Sequence, residues 1–174
     1  QYFRYIALDK PRLLPMQRNV RRSRLIVATG VRVGLAAGLG GQGLIPGRSS
    51  TGQVALGERF FAGGGTTVRG FAQDGIGPRL SDGISPAGGD SLFVWNSELR
   101  FPLFKIFDGV GFADLGNVYE GIGDFRPWQL RKAAGFGLRI RTPFFLIRLD
   151  YGFKLDRKPG ESLGRPFISI GQAF

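Results

Sequence analysis

The sequence has no cysteine and no histidine. Those two absences exclude disulfides, thiol nucleophiles, imidazole bases and the usual zinc and haem ligands. Any covalent chemistry would fall to carboxylates, Ser, Lys or Tyr. Acidic residues are scarce: 13 Asp and Glu stand against 24 Lys and Arg, a formal net charge of +11. Such a balance points to nucleic acid, anionic lipid or a partner of opposite sign. No apolar run reaches the roughly 18 residues of a membrane-spanning helix, and no segment repeats with a helical period. The opening QYFRYIALDK has neither a starting Met nor the apolar centre of a signal peptide. It reads as the middle of a strand in a mature or truncated chain.

Glycine and phenylalanine are abundant, 29 and 16 of 174 residues. Together with short alternating segments they are a β signature. In IRLDYGFKL, Ile147, Leu149, Tyr151, Phe153 and Leu155 share one face, with Arg148, Asp150, Gly152 and Lys154 on the other. Period two means a strand with one apolar and one charged face. Phe136, Leu138 and Ile140 oppose Arg139 and Arg141; Phe93, Trp95, Leu99 and Phe101 oppose Asn96, Glu98 and Arg100. Leu25, Val27, Val31, Val33 and Leu35 oppose Gly30, Arg32 and Gly34, and Ile168, Ile170 and Phe174 oppose Ser169, Gly171 and Ala173.

About seven to eight strands are expected, with seven placed over 2–9, 23–37, 91–101, 109–117, 131–142, 145–156 and 165–174. Pro102 and Pro143 would mark short turns, with Pro11 at the start of a longer basic link. The other links, roughly 38–90, 118–130 and 157–164, are longer and rich in Gly, Asp and Pro. Short turns at one end and long loops at the other suit a transmembrane antiparallel β-barrel. Large aromatic and aliphatic residues would face lipid, and Arg with Gly would line a crowded lumen. A soluble β-sandwich, apolar inside and polar outside, is the alternative.

The stretch GERFFAGGGTTVRGF, 57–71, sets three glycines beside aromatics and ends with an arginine between Val68 and Gly70. It is no phosphate-binding loop, because Phe71 stands where Lys is required and no helix follows. Arg69, Gly70, Phe71 and Ala72 match the start of an RNA-recognition motif, but Gln73 and Asp74 replace its stacking aromatic; nucleic acid is not the expected partner. Glu98, Asp114 and Asp150 could form an acid/base pair, although pairing with the arginines is the simpler reading of buried charge. The basic cluster Arg18–Arg24 could be a solvated turn, or could meet anionic lipid or nucleic acid.

RFFAGGGTTVRGF resembles the segment of the sixth extracellular loop of the BamA/TamA outer-membrane assembly superfamily. Arg59, Phe60, Phe61, Gly63, Gly64, Thr67, Val68, Arg69, Gly70 and Phe71 carry the match. GGDSLFVWNSELRFPL, GFADLGNVY and GFGLRIRTPFFLIRLDYG resemble the strands that follow it, and FISIGQAF, ending on Phe174, resembles the carboxyl-terminal strand signal of outer-membrane proteins. The resemblance is strong over 59–174 and weaker over 1–56.

It implies that the loop folds back into the barrel, with Arg69 meeting Glu98 and Asp114 beside Phe112. Asp114 shares parity with Phe112 and Val110, so that strand would show an aromatic inward, against the polar-inside rule. It further implies assembly and insertion of outer-membrane β-barrel proteins without covalent chemistry or cofactor, at a lateral seam beside the last strand, where Ile168, Ile170 and Phe174 lie. The partners implied are unfolded client proteins and outer-membrane lipid, and the location is the bacterial outer membrane. Residues 1–174 would be the C-terminal part of a barrel of about sixteen strands, with strands in 1–37, an inward loop over 38–90 and strands in 91–174. A missing N-terminal half, or a second copy of the chain, would close it. A two-partner-secretion pore and a short dimeric structural barrel are the alternatives.

Overall fold

The computed structural model describes residues 2–7, 25–38, 54–142 and 144–172. Pro11, Pro143, Phe174 and the cluster Arg18–Arg24 lie outside the described residues. The fold is a single antiparallel sheet of seven strands, each paired with its neighbours in sequence. They are β1 (Tyr2–Ala7), β2 (Ile26–Leu35), β3 (Ser91–Phe104), β4 (Phe107–Tyr119), β5 (Arg131–Arg141), β6 (Phe145–Lys154) and β7 (Gly164–Gln172). Among the described residues β1 and β7 are not paired with each other, so the sheet is open at both. Among the described residues three single turns of 3-10 helix, Leu56–Glu58, Ile122–Asp124 and Pro127–Gln129, lie in the long links.

Alternation dictates the two faces. The register puts Arg100 opposite Val110, Gly137 opposite Val110 and Gly137 opposite Asp150, so these residues share one face of adjacent strands. That inner face carries the loop between β2 and β3. The outer face carries Leu99, Phe101, Phe136, Ile168 and Ile170, all exposed. Phe136, Tyr151 and Phe153 form a ladder across β5 and β6, with neighbouring ring centroids 4.9–6.3 Å apart. Cross-strand aromatic pairs of this kind stabilise register. The Trp95 Nε1–H donates to Thr29 Oγ1 at 3.1 Å, which satisfies an indole on an apolar face.

Three sequence expectations are corrected. Pro102 does not mark the turn. It lies within β3, paired with Asp108, and the ladder slips between Pro102 and Phe104. Proline has no N–H to give the ladder, so the irregularity falls where proline is tolerated. The turn itself is at Lys105, with φ 43°. Second, strand ends shift: β3 and β4 extend to Phe104 and back to Phe107, while β6 stops at Lys154 and leaves Leu155 exposed. Third, the inner face is not uniformly polar. Near the loop end Leu92, Val94, Val118 and Ala133 face inward and are buried with Ala62, Val68, Phe71 and Ile76 of the loop. Loop and strands thus enclose an apolar core at one end of what was expected to be a crowded polar lumen. Burying one such side chain contributes about 1.5–3 kcal/mol.

Candidate functional site

The loop is built to lie flat on the inner face. Arg59 anchors its entry, donating from Nε to the Val54 carbonyl at 2.8 Å and from Nη1 to the Ala87 carbonyl at 3.2 Å. Phe60 and Gly89 exchange two backbone hydrogen bonds of 2.9 and 3.0 Å, which tie the loop's two ends together. Gly63 and Gly64 take φ of +108° and +95°, a region that side chains disfavour. The Thr67 hydroxyl closes this turn, accepting from Gly63 N at 2.8 Å and donating to Gly63 O at 2.9 Å. At Gly70, φ +94°, the loop backbone touches β6. A Cβ on Gly152 would stand 2.5 Å from Gly70 N, so both contacting residues must be glycine.

Arg69 is thereby carried to the middle of the inner wall. Its Nε and Nη2 donate to the two Asp114 oxygens at 2.8 Å each, and its backbone N–H reaches Asp114 Oδ2 at 3.1 Å. This is a two-toothed guanidinium–carboxylate pair, the strongest geometry for such ions. Nη1 donates to Glu98 Oε1 at 2.6 Å. The guanidinium carbon sits 3.6 Å from the centroid of the Phe112 ring. Phe112 faces inward beside Asp114 in β4, which departs from the polar-inside rule. The ring supplies a cation-binding face where a carboxylate pair alone would leave one side of the guanidinium bare.

Asp114 is fully buried and receives a fourth bond, from Asn96 Nδ2 at 2.8 Å. Asn96 also donates to the Thr67 carbonyl at 2.6 Å, so it clamps loop to strand. Around this centre Arg100 donates to Glu98 Oε2 at 2.7 Å, and Arg139 pairs with Asp150 and, at 3.5 Å, with Glu98. Asp150 lies 3.6 Å from Arg69 Nη1. Three arginines thus meet three carboxylates, and a buried cluster of ions is tolerated because each charge is matched.

Phe71 fills the core beside the network, and the Arg131 guanidinium lies 4.5 Å from its ring centroid. Arg131 also pairs with Asp156 and Glu161 at 2.7 Å each. Partial burial pushes the Glu161 carboxyl up, but the Arg131 hydrogen bond and charge outweigh that and hold it below its ordinary range.

Of the sequence candidates, Val68, Arg69, Gly70, Phe71, Gly63, Gly64, Glu98, Asp114 and Phe112 come together in this one region. Ile168 and Ile170 stand apart on the outer face of β7, 74 % and 71 % exposed. Sequence reasoning missed Asn96, Gly152 and Phe167 as loop contacts. Asn96 and Gly152 carry only their parity as a signal. Phe167 is inward by the same parity, opposite Asp150, and is an aromatic on an otherwise polar face. Among the described residues no group of three or more Asp and Glu is placed to hold a metal ion. A cavity of about 580 Å³ remains between the network and the inner faces of β2 and β7, lined by Arg32, Arg148 and Ser169 among others.

The sequence compares with known proteins as this geometry suggests. Residues 14–174 match the Omp85 superfamily domain. The outer membrane protein assembly factor BamA of Nitratidesulfovibrio vulgaris is 36 % identical over 130 residues, 71 % of this chain and 16 % of its own. A SAM50-like protein of Schizosaccharomyces pombe is 44 % identical over 133 residues, 68 % of this chain and 27 % of its own. The chloroplastic outer envelope protein 39 of Arabidopsis thaliana is 29 % identical over 138 residues, 75 % of this chain and 34 % of its own. The chain therefore spans only about a sixth to a third of the length of these relatives. The match over nearly the whole chain, on an open antiparallel sheet with a docked glycine loop, makes this chain a member of the Omp85 superfamily, the BamA/TamA-type group of outer-membrane β-barrels.

Proposed function

We propose that the chain is the C-terminal part of an outer-membrane factor that assembles and inserts β-barrel proteins. In this reading residues 1–174 contribute strands in 1–37, the inward loop in 38–90 and strands in 91–174 to a larger barrel. The observation that carries it is the loop docked on the inner wall of a sheet that matches the Omp85 superfamily domain. Arg69, Glu98, Asp114 and Phe112 hold the loop to β3 and β4, and in this reading β7 forms one side of a seam that opens in the full-length barrel.

A free strand edge is a template for another strand. The unfolded client pairs there by β-augmentation, which forms backbone hydrogen bonds and breaks no covalent bond. The Arg69 network stiffens the wall behind the edge and does not touch the client. Outward Ile168 and Ile170 keep the seam in contact with lipid. Relatives named as assembly factors and as outer-envelope proteins support both the activity and the membrane location.

Cysteine cross-linking in the full-length protein tests this. With a cysteine at Ser169 or Ile170 and another in the terminal strand of a stalled client, a disulfide is expected in the membrane. Cross-links only to positions inside the network, such as Asn96, would refute the seam and favour passage through the lumen.

A further inference from the structure

Among the described residues β7 is paired only with β6. Its described side chains Arg165, Pro166, Ile168, Ser169 and Ile170 are exposed. Phe167 alone among them is half-buried. Its ring points to the inner face, and what it meets there is the loop. A Cβ built on Gly65 would lie 3.3 Å from Phe167 Cδ1 and 3.6 Å from its Cβ and Cγ. The third glycine of the triplet therefore faces this ring, with less room between them than a side chain would take.

We propose that Phe167 is a positioning residue through which the docked loop braces the edge strand β7. The loop is fixed at one side by Arg69 on Asp114 and Glu98, and at Gly70 on Gly152 of β6. Gly65 then presents a bare backbone to the ring, so the position of the loop is passed to β7 by contact. A strand paired on one side frays, and opening of a few residues costs far less than global unfolding; among the described residues β7 is paired on one side. One aromatic seated on a fixed surface removes that freedom at mid-strand. The brace stands on this geometry alone; its use in presenting a templating edge rests on the seam reading above.

Hydrogen–deuterium exchange of the full-length protein in detergent micelles, without client, tests the brace. Phe167→Ala should speed exchange in the β7 peptide about tenfold, with β3 to β5 and the loop around Arg69 unchanged. Phe167→Leu keeps apolar bulk over Gly65 and should restore most of the protection. Unchanged β7 exchange in Phe167→Ala overturns the brace. So does a uniform rise over all strands, which would make Phe167 an ordinary packing residue. Neither result touches the client cross-link to β7, and loss of that cross-link in the wild type would sink the seam reading while leaving the brace intact.

Discussion

At the scale of single residues, the protein concentrates its specificity in one arginine. Arg69 makes three hydrogen bonds to Asp114 and one to Glu98, and it lies on Phe112. Removing one partner of a buried ion pair leaves the other charge uncompensated, at a cost of about 3–5 kcal/mol. Arg69→Ala is therefore expected to undock the loop, read as new protease cleavage within residues 57–90 and a lower melting temperature in detergent. Arg69→Lys should fall between it and wild type. A lysine ammonium is a point charge that cannot fork onto both Asp114 oxygens while reaching Glu98. Equal stability of Arg69→Lys and wild type would show that charge alone docks the loop. Arg69 stood out in the sequence because a charged residue closes an aromatic-flanked glycine stretch, between Val68 and Gly70. Asn96 did not, since an asparagine on a polar strand face looks like any other until its neighbours are known.

At the scale of elements, the loop and β6 fit only because both backbones are bare at the crossing. A Cβ on Gly152 would stand 2.5 Å from Gly70 N, so there is no room for a side chain, and Gly70 sits at φ +94°. Gly152→Val is expected to push the loop off β6 while the β5–β6 and β6–β7 ladders survive. Limited proteolysis should open the loop, and the heat-modifiable gel shift of the folded barrel should remain. Loss of the folded band instead would mean that Gly152 serves the strand and not the crossing. Phe71→Ala should cost about 3–5 kcal/mol, because its ring lies in the core between loop and wall. The strands themselves were legible from period-two patterning. Their inner apolar residues were not, because Leu92 and Val94 interrupt a polar face only to receive the loop.

At the scale of the whole molecule, two environments divide the sheet. Exposed Phe136, Ile168 and Ile170 lie on the outer face, and the charged network lies on the inner one. A charge placed on the lipid side of such a barrel costs about 2–4 kcal/mol at mid-membrane. Ile168→Arg in the full-length protein is thus expected to reduce its yield in the outer-membrane fraction, whereas Ser169→Arg, one residue on and facing inward, is expected to insert normally. Equal insertion of the two variants would mean that β7 does not face lipid on that side. The seven strands also leave open edges at β1 and β7, each of which needs a further strand to satisfy its backbone in lipid.

Sequence by itself determined the strands, their two faces and the loop motif, because alternation and glycine placement act through local sterics and the choice of solvent. It also singled out Arg69, Glu98, Asp114 and Phe112, through the resemblance of the loop and strand motifs to a known family. The tertiary structure alone decided what lies opposite what. Register puts Asn96 beside Asp114, the docking of the loop sets Gly70 against Gly152, and no single strand contains that information. It also made the inner wall apolar at one end and ionic in the middle. A docked loop replaces water there, and the polarity of a face then follows from what covers it.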